Sequence, residues 1–176
     1  MNANHSDSIK PPNFSEKRGS ATFLIFALVL MLMLTISVLL PLFPNDFWPY
    51  VRIGQQIITT GEIPTTEFMT YTQYGQPAVY LYWLPSIIFL GVYNLGGVTL
   101  ISILSALCVG IFYTELWFCL RELRIGALTS GLVLVVTGLL GVNYWATRPQ
   151  LLTYPLFGLA LLALLRWQKR DDRLIW

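Results

Sequence analysis

The sequence predicts an all-α polytopic membrane protein with about four transmembrane helices and a long outer loop that carries interfacial helices. Apolar residues make up 55% of the chain and charged residues only 11%, whereas about 25% of the residues in a typical soluble domain are charged. Several apolar runs approach the roughly 20 residues that a helix needs to cross a bilayer. The basic residues are also distributed unevenly between these runs, which indicates their topology.

The first predicted span follows a polar tail. Residues 1–18 include Pro11 and Pro12 and are predicted to form a disordered cytoplasmic tail. Residues 19–42 are almost wholly apolar, and no small-residue cleavage site follows them. They are therefore predicted to form a permanent transmembrane helix, TM1, and not a cleaved signal peptide.

The distribution of lysine and arginine decides how many of the later apolar stretches cross the membrane. If residues 78–93 crossed, seven of the 11 basic residues would lie outside, although basic residues normally accumulate on the cytoplasmic side. If they do not cross, nine lie inside: the three of the tail and Arg121, Arg124, Arg166, Lys169, Arg170 and Arg173. Both termini are then cytoplasmic, and the remaining segments are TM2 at 98–119, TM3 at 126–142, TM4 at 149–166 and a cytoplasmic end at 167–176.

Residues 43–97 form the predicted outer loop, which contains two amphipathic segments. The stretch 78–93 contains Pro85 and begins with Tyr80, Tyr82 and Trp83. Such aromatic residues prefer the headgroup region, so this stretch is predicted to lie at the interface. A helical pattern also begins at Phe47 and ends at Gly61, a residue type that commonly closes a helix. Its apolar stripe consists of Phe47, Tyr50, Ile53 and Ile57, while Arg52, Gln55, Gln56 and Thr59 face away.

Two carboxylates in this loop are the candidate catalytic groups. Asp46 directly precedes the first amphipathic helix, and Glu67 lies further along the loop. Acids beside a membrane surface can activate an acceptor hydroxyl or bind a divalent cation. Plainer interpretations stay open, in which Asn45 or Asp46 only caps the helix and Glu67 is a solvated loop acid.

Other kinds of site have little support in the sequence. The single histidine, His5, lies in the polar tail, and Cys108 and Cys119 lie on one predicted helix, too far apart to form a disulfide. No Ser-His-Asp triad and no histidine-cysteine metal site are therefore predicted, and no metal ligands are assigned. The net charge of +2 gives no reason to expect a nucleic-acid partner.

Small residues recur within the predicted spans. Ser102, Ala106 and Gly110 follow one another at intervals of four residues, and Gly131, Gly138 and Gly141 occur in the next span. Such residues allow helix backbones to approach closely in a bilayer. The pattern predicts a packed helix bundle and carries no information about chemistry.

The order of motifs in the outer loop resembles that of a known class of enzymes. Asp46-Phe47-Trp48 is followed by Gly54 and Ile57, Gly61-Glu62-Ile63-Pro64, Glu67, Tyr71-Thr72, Gly75-Gln76-Pro77 and Tyr82-Trp83-Leu84. This order is similar to the N-terminal part of the GT-C type polytopic membrane glycosyltransferases, which include protein mannosyltransferases and lipid A aminoarabinose transferases. The resemblance covers about residues 20–170.

The resemblance implies an enzyme of the plasma (inner) membrane that transfers a sugar from a polyprenyl-phosphate donor to a glycan, lipid or protein acceptor on the outer face. By position, Asp46 matches the loop acid that acts as general base or orients the acceptor, and Glu67 falls where many relatives have an aspartate. Pro49-Tyr50 replaces a histidine found in many relatives, so no histidine assists Asp46. A divalent cation stays open as a cofactor.

Four further residues are candidates for substrate binding, namely Arg52, Arg148, Tyr82 and Trp83. The guanidinium of Arg148, in the segment Tyr144–Gln150, can hold the carrier phosphate through paired hydrogen bonds. In the plainer interpretation it only snorkels to the interface, and Arg52 has the same alternatives. Tyr82 and Trp83 belong to the loop motif, in which relatives often have an acid before the tryptophan.

The length of 176 residues leads to one more expectation. Members of this class typically have several hundred residues, so the chain is expected to be the N-terminal module of a longer protein. A small non-catalytic membrane scaffold or assembly protein is the alternative. A transporter is a third possibility, for which Glu115 is the acid nearest to mid-membrane, although it is expected to face the cytoplasmic interface.

Overall fold

The structure, a computed structural model, describes the backbone of residues 14–39 and 44–170 and the side chains of residues 19–39 and 47–169. The helices are α1 (Phe14–Leu39), α2 (Pro44–Thr60), α3 (Trp83–Glu122), α4 (Ala127–Gly141) and α5 (Pro149–Arg170). A 3-10 turn at Val142–Trp145 extends α4. Within these ranges no β-strand occurs, and an isolated antiparallel bridge joins Thr66 to Pro77.

Four segments are long and apolar enough to cross a membrane: α1, α3, α5, and α4 together with its 3-10 extension. This finding confirms the predicted fold class, an all-α polytopic membrane protein. The chain is therefore a multi-pass membrane protein. Helix α2 and the irregular segment after it connect the first span to α3.

Helix α3 is interrupted inside its 40 residues. Gly96 and Gly97 have non-helical backbone angles, and the φ of +60° at Gly97 lies in the left-handed region that glycine adopts without penalty. The break divides α3 into a first half, residues 83–95, and a second half, residues 98–122. It falls where the sequence predicted the end of the outer loop and the beginning of TM2.

Helix α1 begins earlier than the predicted span. Residues 14–18 were predicted to belong to the disordered tail, but they form the first five residues of α1. Glutamate, lysine and arginine are good helix formers, so the helix continues beyond the apolar run that predicted it. The rest of the predicted tail, the end of the predicted TM1 and the final residues, 1–13, 40–43 and 171–176, lie outside the described part of the chain.

The second half of α3 is the centre of the bundle and packs against α1, α4 and α5. Small residues make the approach possible, because a Cβ at Gly110 or Gly131 would lie 2.8 Å from a side-chain carbon of α1. Ala106 and Gly110 of the predicted small-residue face are buried, and Ser102 is half-buried. The buried core consists of Val29, Met33, Cys108, Val109, Tyr113, Trp117, Leu134, Trp145 and Leu151.

Charged side chains connect α3 to α5 at one end of the bundle, here called the basic end and defined by Arg121, Arg124, Arg166 and Lys169. The Oε1 atom of Glu122 lies 3.1 Å from Nε of Arg166, and its Oε2 atom lies 2.9 Å from Nζ of Lys169. Lys169 also donates to the backbone carbonyl of Glu122. These exposed ion pairs hold the ends of the two helices side by side, each contributing about 0–1 kcal/mol.

Candidate functional site

Helix α2 lies on the first half of α3 and forms a platform beside the bundle. Phe47, Ile53 and Ile57 are buried, whereas Arg52 and Thr59 are exposed, which confirms the predicted apolar stripe. Phe47 packs 6.1 Å from Phe89, measured between ring centroids. Together with Ile101 these two rings form a second buried cluster, here called the junction cluster and defined by Phe47, Phe89 and Ile101.

A glycine allows the two helices of the platform to touch. A Cβ at Gly54 would lie 2.8 Å from the carbonyl carbon of Ser86 and would overlap its carbonyl oxygen. Ser86 is fully buried, and its hydroxyl donates to the carbonyl of Tyr82 over 2.7 Å. Gly54, one of the motif residues, therefore has a packing function that only a residue without a side chain can perform.

Asp46 is the third residue of α2, because the helix begins at Pro44 and not at Phe47. The proline is favourable in the first helical position, and this explains the earlier start. Asn45 and Asp46 consequently lie inside the first turn and not at the cap that precedes it. The Asp46 side chain itself lies outside the described part of the chain. An acid in a first turn interacts favourably with the helix dipole.

Arg148 is exposed and directly precedes α5. Its neighbour Thr147 is buried, and the hydroxyls of Thr147 and Ser105 form a hydrogen bond of 3.1 Å that attaches this turn to α3. In the first turn of α5, Leu152 packs against the junction cluster. Since Phe47 of that cluster directly follows Asp46, the structure brings the beginnings of α2 and α5 to the same cluster.

Glu67 orders the segment between α2 and α3. Its backbone N–H donates to the carbonyl of Gln76 over 2.8 Å, and its own carbonyl accepts the N–H of Gly75 over 2.8 Å. Its Oε1 atom accepts the N–H groups of Met69 and Thr70 over 2.7 and 3.0 Å. These contacts fold the chain back on itself into a compact turn between about residues 65 and 78.

Tyr80 supplies a third donor to the same carboxylate, over 3.2 Å to Oε2. The backbone N–H groups of Met69 and Thr70, followed by the Tyr80 hydroxyl, hold the pKa of Glu67 below its ordinary value. Burial and then the negative charge of Glu67 raise the pKa of Tyr80. Glu67 is thus a hydrogen-bonded acid of the loop, held by Met69, Thr70 and Tyr80.

The other predicted binding residues are spread over the platform. Arg52 lies on the exposed face of α2, where its Nη1 atom donates to Oε1 of Gln55 over 3.0 Å. Tyr82 and Trp83 are 45% and 41% exposed at the beginning of α3, and the ring of Tyr82 meets that of Tyr50 edge-on at 6.1 Å. Arg52 thus lies on the face of α2 opposite to the one that meets the junction cluster.

A groove of about 620 Å³ opens between α3, α4 and α5, and sequence reasoning missed it. We call it the aromatic groove because aromatic residues line one of its ends, namely Tyr113, Tyr144, Trp145 and Tyr154. The rings of Tyr113 and Trp145 lie 5.5 Å apart, and the Tyr154 hydroxyl donates to the carbonyl of Tyr144 over 3.2 Å. The pair Tyr144-Trp145, shortly before Arg148, was the available signal, since such residues are frequent at membrane interfaces.

The same groove continues towards the basic end along apolar side chains, among them Leu120, Leu123 and Leu165. Cys119 also lines it and, like Cys108, is a buried free thiol. Among the described residues, no group of three histidine, cysteine or acidic side chains is placed to hold a metal ion. The aromatic groove therefore runs along the bundle between mostly apolar side chains, and its aromatic end lies near Arg148.

Glu115 lies within α3 on the side that faces Gly158 of α5. Helix α3 continues to Glu122, beyond the predicted end at residue 119. Seven residues, or about 10 Å of helix, therefore separate Glu115 from Glu122 at the end of α3. Its Oε2 atom is buried and has no hydrogen-bond partner within the described residues.

Comparison with known proteins returned no match for this chain, either among models of protein families or among curated proteins and solved structures.

Proposed function

We propose that this chain is the N-terminal module of a membrane glycosyltransferase that transfers a sugar from a polyprenyl-phosphate-linked donor to an acceptor on the outer face of the membrane. The aromatic groove is the observation that carries the proposal. It is long, apolar and bounded by three transmembrane helices, which suits an isoprenoid chain. Arg148 lies three residues after Trp145 at its aromatic end, where a guanidinium suits a phosphate.

The position of α2 supports a catalytic role for Asp46 in this proposal. The beginnings of α2 and α5 meet at the junction cluster, so Asp46 and Arg148 belong to two segments that pack on the same cluster. Asp46 would accept the proton of the acceptor hydroxyl or orient that hydroxyl. Glu67 would act indirectly, by keeping the loop in shape through Met69 and Thr70.

The orientation of the chain follows from the distribution of basic residues. The protein would span the plasma (inner) membrane, with the basic end of the bundle and both termini on the cytoplasmic side. The platform formed by α2 and the first half of α3 would then face outward. Glycans, lipids and proteins on that side are all possible acceptors.

Binding of a fluorescent polyprenyl phosphate to the purified chain in lipid nanodiscs tests the donor site. We expect saturable binding that Arg148→Gln weakens about 10- to 100-fold, because charge-assisted paired hydrogen bonds are lost. Filling the groove by Val133→Trp should also weaken binding. Leu132→Trp is the matched control, because Leu132 is 58% exposed and lies outside the groove.

If Val133→Trp and Leu132→Trp bind the polyprenyl phosphate equally well, the aromatic groove is not the binding site of the isoprenoid chain. A polyprenol without phosphate is the second ligand, and its affinity should not depend on Arg148. If the phosphate and the alcohol bind equally well to the unaltered chain, the role of Arg148 in phosphate recognition is wrong.

The catalytic assignment is tested in the complete native product of the gene. We expect Asp46→Asn to reduce sugar transfer about 10²- to 10⁴-fold, as the loss of a general base does, while membrane insertion and donor binding persist. Glu62→Gln, at an exposed acid of the same loop, should leave transfer unchanged. Full activity of the Asp46 variant would sink the assignment and favour the scaffold alternative.

A further inference from the structure

A second groove, of about 470 Å³, lies between α1, α3 and α5. Helix α3 forms the floor of this groove, where the side chains of Leu107, Ile111 and Phe118 are 43–54% exposed. Leu30 and Leu34 of α1 form one wall, and Leu162 and Arg166 of α5 form the other. The residues of α3 that line the groove recur at intervals of three and four, the spacing at which one helix packs against another; they are Leu107, Gly110, Ile111, Thr114, Glu115 and Phe118.

Glu115 is the one carboxylate that lines this groove, here called the acid groove. The neighbouring polar groups are already engaged: the hydroxyl of Thr114 donates to the carbonyl of Gly110 over 2.7 Å, and Arg166 pairs with Glu122. The described residues leave Oε2 of Glu115 buried without a partner. The acid groove therefore has one carboxylate in a wall that is otherwise mostly apolar.

Close packing holds this carboxylate in place. A Cβ at Gly158 of α5 would lie 3.2 Å from the Cδ atom of Glu115 and would overlap Oε2. The glycine thus provides the space that the carboxylate occupies between α3 and α5. Glu115 is consequently a fixed part of the groove, whose wall also includes Arg166 of the basic end.

We propose that the acid groove is the docking site of a further transmembrane helix that presents a basic side chain to Glu115. An acid or a base alone in a bilayer is unfavourable, and such groups within spans characteristically pair with each other. Thr114 on the floor is a small residue that allows a helix to approach closely. The exposed side chains of α3 would pack against the partner helix, and the Glu115 carboxylate would favour a partner with a basic side chain.

The test uses synthetic leucine-alanine transmembrane peptides that carry one lysine, one leucine or one glutamate about 10 Å from the end that pairs with the basic end. Their association with the labelled chain is measured by energy transfer in vesicles. We expect the lysine peptide to bind about three- to thirtyfold more tightly than the leucine peptide. The glutamate peptide should gain nothing over leucine.

The preference for lysine should disappear in Glu115→Gln, which keeps the shape of the side chain and removes its charge. It should persist in Leu132→Ala, a change on α4 outside the groove. Equal binding of the lysine and leucine peptides to the unaltered chain would overturn the proposal. So would a lysine preference that survives Glu115→Gln.

Photolabelling of the otherwise unaltered groove locates the peptide independently of the Glu115 variant. A photoreactive residue in place of Leu107, on the groove floor, should crosslink the lysine peptide. The same residue in place of Leu132 should not. Crosslinking from position 132 alone would show that the peptide binds elsewhere and would contradict the proposal.

Discussion

The loop between α2 and α3 and the transmembrane bundle each contain a glutamate, and they differ in the hydrogen bonds that its carboxylate receives. In the loop, the carboxylate of Glu67 accepts three hydrogen bonds, two of them from backbone N–H groups. In the bundle, Oε2 of Glu115 has no partner among the described residues. The irregular loop has backbone N–H groups to offer, whereas those of a membrane helix are used within the helix itself. An acid within the bundle therefore has fewer hydrogen-bond donors within reach than an acid in the loop.

The platform and the bundle also use glycine differently. Gly54 brings α2 against the backbone of Ser86, whereas Gly110 and Gly131 make room for the ends of leucine and isoleucine side chains of α1. A side-chain end can rotate away from an added methyl group, but a helix backbone cannot do so without moving the whole helix. The platform is consequently expected to be the region that is more sensitive to a small increase in volume.

Gly54→Ala should cause the largest loss of stability. The added methyl overlaps the carbonyl of Ser86, and overpacking of this kind typically lowers the free energy of unfolding by about 1–3 kcal/mol. Thermal unfolding of the purified chain in detergent micelles measures the loss. Gly91→Ala on the first half of α3 is the matched control, because nothing lies within 4 Å of its added Cβ.

The control should unfold at the same temperature or slightly above, since alanine favours a helix by about 0.5–1 kcal/mol over glycine. If Gly54→Ala and Gly91→Ala behave alike, α2 is not held against the backbone of α3. The comparison between the two kinds of glycine would then fail.

A smaller effect is expected from the hydrogen bonds of Glu67. Glu67→Ala removes the acceptor for the N–H groups of Met69 and Thr70, so their hydrogen exchange should accelerate about two- to tenfold. Glu62→Gln is the control and should leave these rates unchanged. Unchanged exchange in Glu67→Ala would show that the turn forms without its carboxylate.

The pH dependence of the same exchange gives the sign of the interaction. Because the pKa of Glu67 is lowered from its ordinary 4.5, the stabilisation is fully present above pH 4.5 and is lost as the pH falls through the lower, folded value. After correction for intrinsic rates, protection of Met69 and Thr70 should fall on acidification. Protection in Glu67→Ala should not show this fall.

Much of the fold was predictable because hydropathy indicates which segments can enter a bilayer and the distribution of basic residues indicates which of them cross it. The four spans, the apolar stripe of α2 and the interruption near Gly97 all follow from local patterns. The beginnings of α1 and α2 were placed too late, since good helix formers and Pro44 extend a helix beyond its apolar pattern. Such signals are local, and a residue pattern reports them directly.

The site was predictable only in part. The sequence marks Asp46, Glu67 and Arg148 as unusual polar residues, but it does not reveal that Glu67 is bound by Met69, Thr70 and Tyr80. It also does not distinguish the faces of α3 that meet α1 and α5 from those that line a groove. The grooves depend on residues far apart in the chain, and the contacts of Glu67 depend on the exact conformation of its turn. One sequence contains no spacing rule for either.

The sequence by itself determined that this protein crosses the membrane, because burial of apolar residues in a bilayer does not depend on which helix is the neighbour. The tertiary structure decided where the aromatic groove and the acid groove lie and that Glu115 is left with an unpartnered atom. The reason is that a groove is the space between helices, and small residues such as Gly110 and Gly158 set that space only once the helices have packed.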